Sequence, residues 1–592
     1  MDLVGESQLV QKRYNTSGNP TVQFNESILD VNSSGYLERD QQGTNNPFNY
    51  NYWGSPVGPQ TIGTNNNPRN INGIMRDGTT SASPAGLNWT GALTAPGTIP
   101  VTLSTRWTYA YENYASNTYA NWRALGSSAN FAAGLGHIMK GSGNGHVPGT
   151  IGTQNYVFVG KPNNGNISNY IGVGNDALLG NPYPSAIDGY QFIDDNGPSG
   201  TNTISGSLYF WDHYPTNNTH VLAAYLGGYA VLNKSGGINA VTPPVTTDGY
   251  VITGGTGTKI PERYVPVGQG FFVSATGGAS SGNVEFNNGQ RIFQREVVGT
   301  GNGSVTFKKS KGKDDDSYND IRRLRFEFKT PEGALRPLLL AFVPNNLASD
   351  NYDYGYDALN YEDFPNDMSW LINDKRYVIQ GVGDLDEEKQ YPFGLYSKTG
   401  GHIEIALTAL ENFSSPSFKV YVYDALLETY TKINNKSFEI DLEPGNYKDR
   451  FFITFKDKSQ NDVNHNEVSK NETSQSVIPQ NEVTQSEVGQ SEILENEVTQ
   501  SEVSEDPFNG DLTVNYLDNS HEIFIKAPYY LEVKKVYLIN TLGQIIKSWN
   551  GSYIPAYSYE IKIPVNQIAD GSYIIKVITS AGASNKKIII NH

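Results

Sequence analysis

From Gly510 to its end, the chain reads as seven short runs in which apolar and polar residues alternate. They are LTVNYL (Leu512–Leu517), EIFIKAP (Glu522–Pro528), VKKVYLIN (Val533–Asn540), GQIIKSW (Gly543–Trp549), SYEIKIP (Ser558–Pro564), SYIIKVIT (Ser572–Thr579) and KKIIIN (Lys586–Asn591). A side-chain period of two gives each run one apolar face as a strand and no stripe as a helix. Turn pairs punctuate the runs: Asp518-Asn519, Leu542-Gly543, Asn550-Gly551, Asp570-Gly571 and Ala581-Gly582. Strands of this length, so closely spaced, predict a small antiparallel β-sandwich. The last run ends the sequence and opens with two lysines, so it is expected to be an accessible strand.

The remainder is also expected to be all-β. At 592 residues it is too long for one ordinary domain. Tyr (38) and Phe (24) supply much of the apolar content, and aromatic residues favour strands. The expectation is several β-sandwich domains, immunoglobulin-like or jelly-roll-like, a disordered acidic linker, and the small C-terminal sandwich. There is no cysteine, which removes disulfides, thiolate chemistry and cysteine-ligated metals. No run approaches the length of apolar residues needed for a transmembrane helix.

The formal charge of −17 is unevenly spread. Residues 461–506 hold eleven acids against one base, Lys470, so this segment carries −10 and leaves −7 for the rest. No basic stripe exists to neutralise phosphates, which argues against nucleic acid as a partner. Within this acidic segment, residues 466–505 repeat every five residues (NEVSK, NETSQ, SVIPQ, NEVTQ, SEVGQ, SEILE, NEVTQ, SEVSE). Period five fits neither a helix stripe nor a strand face. The reading is an extended charged tether, with a pentapeptide β-solenoid as the less favoured alternative. The domain reading is therefore 1–299, a Gly/Asn/Tyr-rich β region; 300–457, a β-sandwich; 458–509, the tether; and 510–592, the terminal sandwich. Strand candidates in 300–457 are SVTFKKS, RRLRFEFKT, PLLLAFVP, RYVIQGVG, HIEIALTAL, FKVYVYDAL, SFEIDLE and DRFFITFKD.

Three pieces of the terminal module, VYLINTLGQIIKSW (Val536–Trp549), IADGSYIIKVITSAG (Ile568–Gly582) and KKIII (Lys586–Ile590), occur in an order that resembles the type A C-terminal sorting domain of the type IX secretion system of Bacteroidota. The resemblance implies a sorting signal that includes Gly543, Gln544, Gly571, Tyr573, Lys586 and Lys587. It implies an outer-membrane translocon as partner, with a shuttle or peptidase that transfers the protein to surface lipopolysaccharide. It places the protein outside the cell or on the outer face of the outer membrane. An inner-membrane export signal is then also expected. The first twenty residues show no basic and apolar leader, so the sequence is expected to be a piece of a longer protein. Runs such as YNYWGSPVG, LLGNPYPSAID and PERYVPVGQGFFVSA are similar to a segment that recurs in large secreted flavobacterial proteins; that similarity implies location and no chemistry.

Residues that could carry chemistry are few and complete no motif. GASSG (Gly278–Gly282) fits the nucleophile-elbow spacing around Ser280, but strands are expected on both sides where the elbow needs a helix, so a loop between strands is favoured. The eight histidines form no metal-binding motif. Asp212-His213 with His220 is the best cluster, read as a core histidine before a dyad. Asp350, Asp353 and Asp357 in SDNYDYGYDALN supply hard oxygens for calcium, without EF-hand spacing. Tyr50, Tyr52 and Trp53, or Tyr352, Tyr354 and Tyr356, are sugar-stacking candidates that a β core would equally use. Asp424 and Arg450 are placed to form a structural ion pair. No catalytic residue is nominated and no cofactor beyond calcium. The expected role is a surface adhesin; the alternative is an exported carbohydrate-binding protein or hydrolase.

Overall fold

The structure is a computed structural model that describes residues 1–3, 7–13, 25–26, 29–30, 32–115, 119–147, 152–213, 219–221, 227–241, 257, 259–296, 320–413, 418–459, 513–517, 521–526, 533–540, 545–550, 560–565, 568, 571–579 and 582–590. The acidic repeat and the strand candidate SVTFKKS lie outside these. The chain divides into two compact units, residues 1–463 and 464–592. Both are built of strands, as the composition predicts. Among the described residues the longest α-helix is α1 (Gly189–Asp195), where the Asp188 carboxylate caps the Tyr190 and Gln191 amides.

The first lobe is built on β1 (Leu37–Thr44), which the strand Asp2–Leu3 joins in parallel, and the four-residue β2 (Tyr50–Trp53). β3 (His137–Lys140) pairs with β2, and β4 (Thr153–Gly160) pairs with β1 along its whole length. Trp53 sits at the centre, its ring edge-on to Tyr156 and Phe158 at 5.8 and 5.7 Å. Much of this lobe is irregular backbone, and buried asparagines satisfy it. Asn51 Oδ1 accepts the Thr44 amide at 2.7 Å while its Nδ2 donates to Met139 O. Asn163 Nδ2 donates to Ser55 O and Pro182 O, and Asn181 Nδ2 to Ser185 O and Pro266 O. A carboxamide both donates and accepts, so one buried side chain satisfies several loop groups where no ladder exists. This explains the asparagine density. Glycine has a different role where β2 runs into β5 (Asn175–Gly180): a Cβ on Gly180 would lie 2.3 Å from the Gly54 Cα.

β5 belongs to a six-stranded sheet with β6 (Leu208–His213), β7 (Gly227–Asn233), β8 (Gly236–Ile238) and β9 (Gly270–Ser274). The order is Tyr114–Ala115, β5, β9, β6, β7, β8. Successive residues point to opposite faces. Leu179, Phe210, Phe271 and Val273 fill the first lobe's own core. Leu178, Tyr209, Val231 and Phe272 face the other way, into a core shared with Leu339, Ala341 and Ile379 of the second lobe. One compact unit therefore contains both lobes.

The second lobe comprises β10 (Arg322–Lys329), β11 (Leu335–Phe342), β12 (Asn366–Ile372), β13 (Lys375–Val382), β14 (Gln390–Ser397), β15 (Gly401–Glu411), β16 (Tyr421–Asp424), β17 (Thr429–Lys432), β18 (Phe438–Leu442) and β19 (Gly445–Thr454). Their order is 17-16-19-14-12-13-11-10-15-18, antiparallel except for the β11–β13 pair. The sheet curls on itself: Phe438 on β18, at one end, packs 5.9 Å from Phe451 on β19, near the other. Trp370 and Phe326 meet edge-on at 5.5 Å inside the same core. The result is a β-sandwich, and its strand candidates within the described residues all form strands.

The C-terminal unit contains β20 (Thr513–Leu517), β21 (Glu522–Lys526), β22 (Val533–Asn540), β23 (Ile545–Asn550), β24 (Glu560–Pro564), β25 (Gly571–Thr579) and β26 (Gly582–Ile590). Each of the seven runs read from the sequence is strand within its described residues. They form a three-stranded sheet, 20-21-24, and a four-stranded sheet, 23-22-25-26. Ile523, Ile525, Ile561 and Ile563 from the first pack with Val536, Leu538, Ile575 and Val577 from the second. β20 approaches β26 from the facing sheet, with no ladder between them among the described residues.

Candidate functional site

The terminal strand β26 pairs with β25 from Gly571↔Ile590 to Thr579↔Gly582 and, among the described residues, with no other strand. It is the edge of its sheet. Ile588 and Ile590 are buried, whereas Lys586 and Lys587 are exposed. Tyr573 lies half-buried opposite Ile588 and packs on the module's core. Gly571 lies opposite Ile590. The structure thus brings Gly571, Tyr573, Lys586 and Lys587 onto two neighbouring strands. Gly543 and Gln544 lie outside the described residues.

The loop holding Asp350, Asp353 and Asp357 joins the two lobes. Tyr354 donates to Ile193 O at 2.8 Å and Tyr352 to Ser205 O at 3.4 Å, both in the first lobe. Lys234 donates its amide to Gly355 O at 2.7 Å and holds its ammonium 4.6 Å from the Tyr356 ring centroid. The tyrosines of this loop are a clasp, with Tyr356 buried and the other two half-buried. The carboxylates have partners within the chain. Asp357, 1% exposed, accepts the Asp353 amide at 2.6 Å and the Gly381 amide at 2.8 Å. Burial pushes its pKa up to about 8, held back by those two N–H donors. Asp353 accepts the Ser349 amide and hydroxyl, and Asp350 pairs with Lys389 at 2.7 Å. Among the described residues no group of three His, Asp or Glu is arranged to hold a metal ion.

Tyr52 and Trp53, the other stacking candidates, are 6% and 0% exposed, so neither offers a ring face to a sugar. β2 is covered on both sides, which removes the alternation that would have marked its buried face. Ser280 lies in a loop between β9 and the strand Gly282–Phe286, its amide donating to Asn202 O at 2.7 Å. The strand–turn–helix context of a nucleophile elbow is missing there. Asp212 pairs with Lys259 at 3.1 Å, and His213 is buried, its pKa driven down to about 3 by burial and by Lys259. Asp424 and Arg450 form the bidentate pair read from the sequence, at 2.8 and 2.7 Å.

His220 belongs to a different cluster that the sequence did not reveal. Its ring lies parallel to Trp107 at 5.1 Å and packs on Phe48 at 4.6 Å. Lys140 Nζ lies 3.2 Å from His220 Nδ1 and 4.0 Å from the Trp107 centroid, and His220 Nε2 lies 2.9 Å from the Thr94 hydroxyl. Burial lowers Lys140 to about 7 and His220 to about 4. A second group surrounds Phe272: Trp122 at 5.8 Å, Tyr229 at 5.6 Å, and Tyr361 5.4 Å beyond Tyr229, all three half-buried. Tyr361 donates to Asp176 at 2.5 Å, and Glu362 accepts the Tyr229 amide at 3.3 Å. These residues come from distant parts of the chain, so no local motif marks either group.

Residues 96–455 match the family model described as a domain of unknown function (DUF8693), and residues 506–591 match the secretion system C-terminal sorting domain. No curated protein and no solved structure matches the chain. The second match covers the C-terminal sandwich, and such a tail marks proteins that the type IX secretion system exports to the outside of the outer membrane. The chain therefore belongs to the family described as a domain of unknown function (DUF8693), and its C-terminal sorting domain makes it a type IX export substrate, secreted or attached at the cell surface.

Proposed function

We propose that the protein is an adhesin of the bacterial surface, of Bacteroidota origin, in which residues 1–463 make the contact and the tail delivers them. The observation that carries this reading is the pairing of an export tail with a large body whose notable polar groups hold the fold together. Asp357 pins a loop, Asp424 pairs with Arg450, and the tyrosines of 352–356 clasp two lobes. A body fixed in this way suits a passive binding role. In this account the outer-membrane translocon recognises the C-terminal sandwich, and a peptidase then removes it and joins the protein to lipopolysaccharide. Adhesion to host or bacterial surfaces, measured with the purified full chain and with cells lacking it, tests the role. Equal adhesion by both cell types would refute it.

A second reading, glycan binding, is favoured by the half-buried rings of Trp122 and Tyr229 against Phe272, with Tyr361 against Tyr229 and Glu362 accepting the Tyr229 amide. Aromatic faces with adjacent carboxyl groups suit sugar rings, which present C–H faces and hydroxyl edges. A glycan array probed with the full chain, with hydrolysis followed on any glycan that binds, separates the readings. Retained glycan with no turnover supports a lectin-like adhesin, and turnover supports a hydrolase.

A further inference from the structure

The sheet 23-22-25-26 has two edge strands, and each carries an exposed lysine where a core residue is expected. In β25, Ile575 and Val577 are buried and Ile574 is exposed. Lys586 is the register partner of Ile575, and Lys587 is the partner of Ile574. Directly paired residues share a face, so Lys586 projects from the core side of the sheet and Lys587 from the outer side. Buried Ile588 and Ile590 flank the strand's end. The opposite edge repeats the arrangement, since exposed Lys547 of β23 is the register partner of buried Leu538.

A lysine on the inner side of an edge strand prevents a neutral strand from adding there. Addition would bring apolar side chains over the ammonium and strip its water. A strand that places a carboxylate beside it meets no such penalty and gains a charge-assisted contact. The two edges differ in reach. β26 is nine residues long and pairs in unbroken register with β25, whereas β23 is six residues long and its pairing with β22 shifts between Leu538 and Ile539. The charge is also suited to an acidic partner: from Gly510 onward eight lysines stand against six acids, in a chain whose net charge is −17.

We propose that β26 is a docking edge, to which an extended strand of the export machinery adds, with an Asp or Glu set beside Lys586. This rests on the export reading above and specifies how the tail is held. Main-chain ladder bonds provide the contact, and the lysine restricts which strands can use it. The same residue keeps two copies of the chain from pairing edge to edge before export.

The test uses the full chain behind an inner-membrane export leader, in a host that carries the type IX machinery, with the surface fraction measured by protease shaving and blotting. Lys586→Glu places like charges together and is expected to lower the surface fraction about tenfold, whereas Lys586→Arg leaves it within about twofold. Lys562→Glu, at an exposed lysine of the other sheet, is expected to behave as wild type. A second variant, Lys586→Ile, is purified and its mass followed by light scattering. It is expected to fold with an unchanged circular dichroism spectrum and to form dimers as concentration rises. Wild-type export of Lys586→Glu, or an equal loss with Lys562→Glu, overturns the docking edge, and so does a strictly monomeric Lys586→Ile. A chain lacking residues 510–592 separates the two layers. If it stays inside while Lys586→Glu is exported, only the strand-addition inference fails; if it too is exported, the export reading itself fails.

Discussion

Replacing Asp357 with alanine tests whether the loop between the lobes is a structural pin or a cation site. Asp357 accepts two backbone N–H groups, from Asp353 and Gly381. Gly381 is buried in β13, so its amide loses its acceptor with no water to replace it; Asp353 is half-buried, so its amide is partly rehydrated. An orphaned buried donor costs about 1–3 kcal/mol, and the two together give about 2–4 kcal/mol with the second discounted. For a unit of 463 residues each kcal/mol moves the melting temperature by about 1 °C, so Asp357→Ala is expected to melt about 2–4 °C lower. Asp350→Ala removes an exposed pair with Lys389 and is expected to cost about 0–1 kcal/mol. The assay is thermal unfolding of the full chain by tryptophan fluorescence, in calcium and in EDTA. The pin predicts the same curves in both media. Equal small shifts for the two variants would refute the reasoning, as would a calcium-dependent rise in the wild type that Asp357→Ala abolishes.

Glu362 gives a pH signature. Burial raises its pKa from 4.5 to about 7, opposed by Arg336 and the Tyr229 amide. A raised carboxyl pKa contributes stability that is full below about pH 4.5 and lost as pH rises through about 7. Glu362→Gln should therefore gain on the wild type between pH 4.5 and 8 in parallel melting series; parallel curves would contradict this. Gly180→Ala forces a Cβ against the Gly54 backbone and is expected to cost about 1–3 kcal/mol or more in urea unfolding, with no change if the two strands part freely. Asp424→Ala unpairs Arg450 and removes the acceptor of the Leu426 and Leu427 amides. Because Arg450 keeps some contact with water, about 2–3 kcal/mol is expected by the same measurement, where an exposed pair would give under about 1 kcal/mol.

The C-terminal sandwich and the outer strands of the second lobe were legible because they bury one face, whereas β11, β12 and β13, covered on both faces, show only as apolar runs. The alternation in Lys419–Tyr423 and in Ser572–Thr579 gives both the element and the side that turns inward. The first lobe was less legible for two physical reasons. β2 is buried on both faces, so Tyr52 and Trp53 carry no period from which their burial could be read. Its loops are held by carboxamides such as Asn163 and Asn181, whose partners lie far along the chain or in irregular segments. The clasp had a partial signal, tyrosines at every second position of 352–356, but their acceptors Ser205 and Ile193 are well over a hundred residues away. The Lys140–His220 cluster had none. Export was legible because its signal is local: one small module contains the strand, the turn and the terminal lysines.

The tail is what moves the body outward. The most direct measurement is the cellular location of two proteins in a type IX host, the full chain and one ending at residue 509, each behind an inner-membrane export leader, by fractionation and surface labelling. The full chain should be labelled on the outside, and the shortened one should be folded and trapped in the periplasm. Surface labelling of the shortened chain at the level of the full one would contradict the central claim.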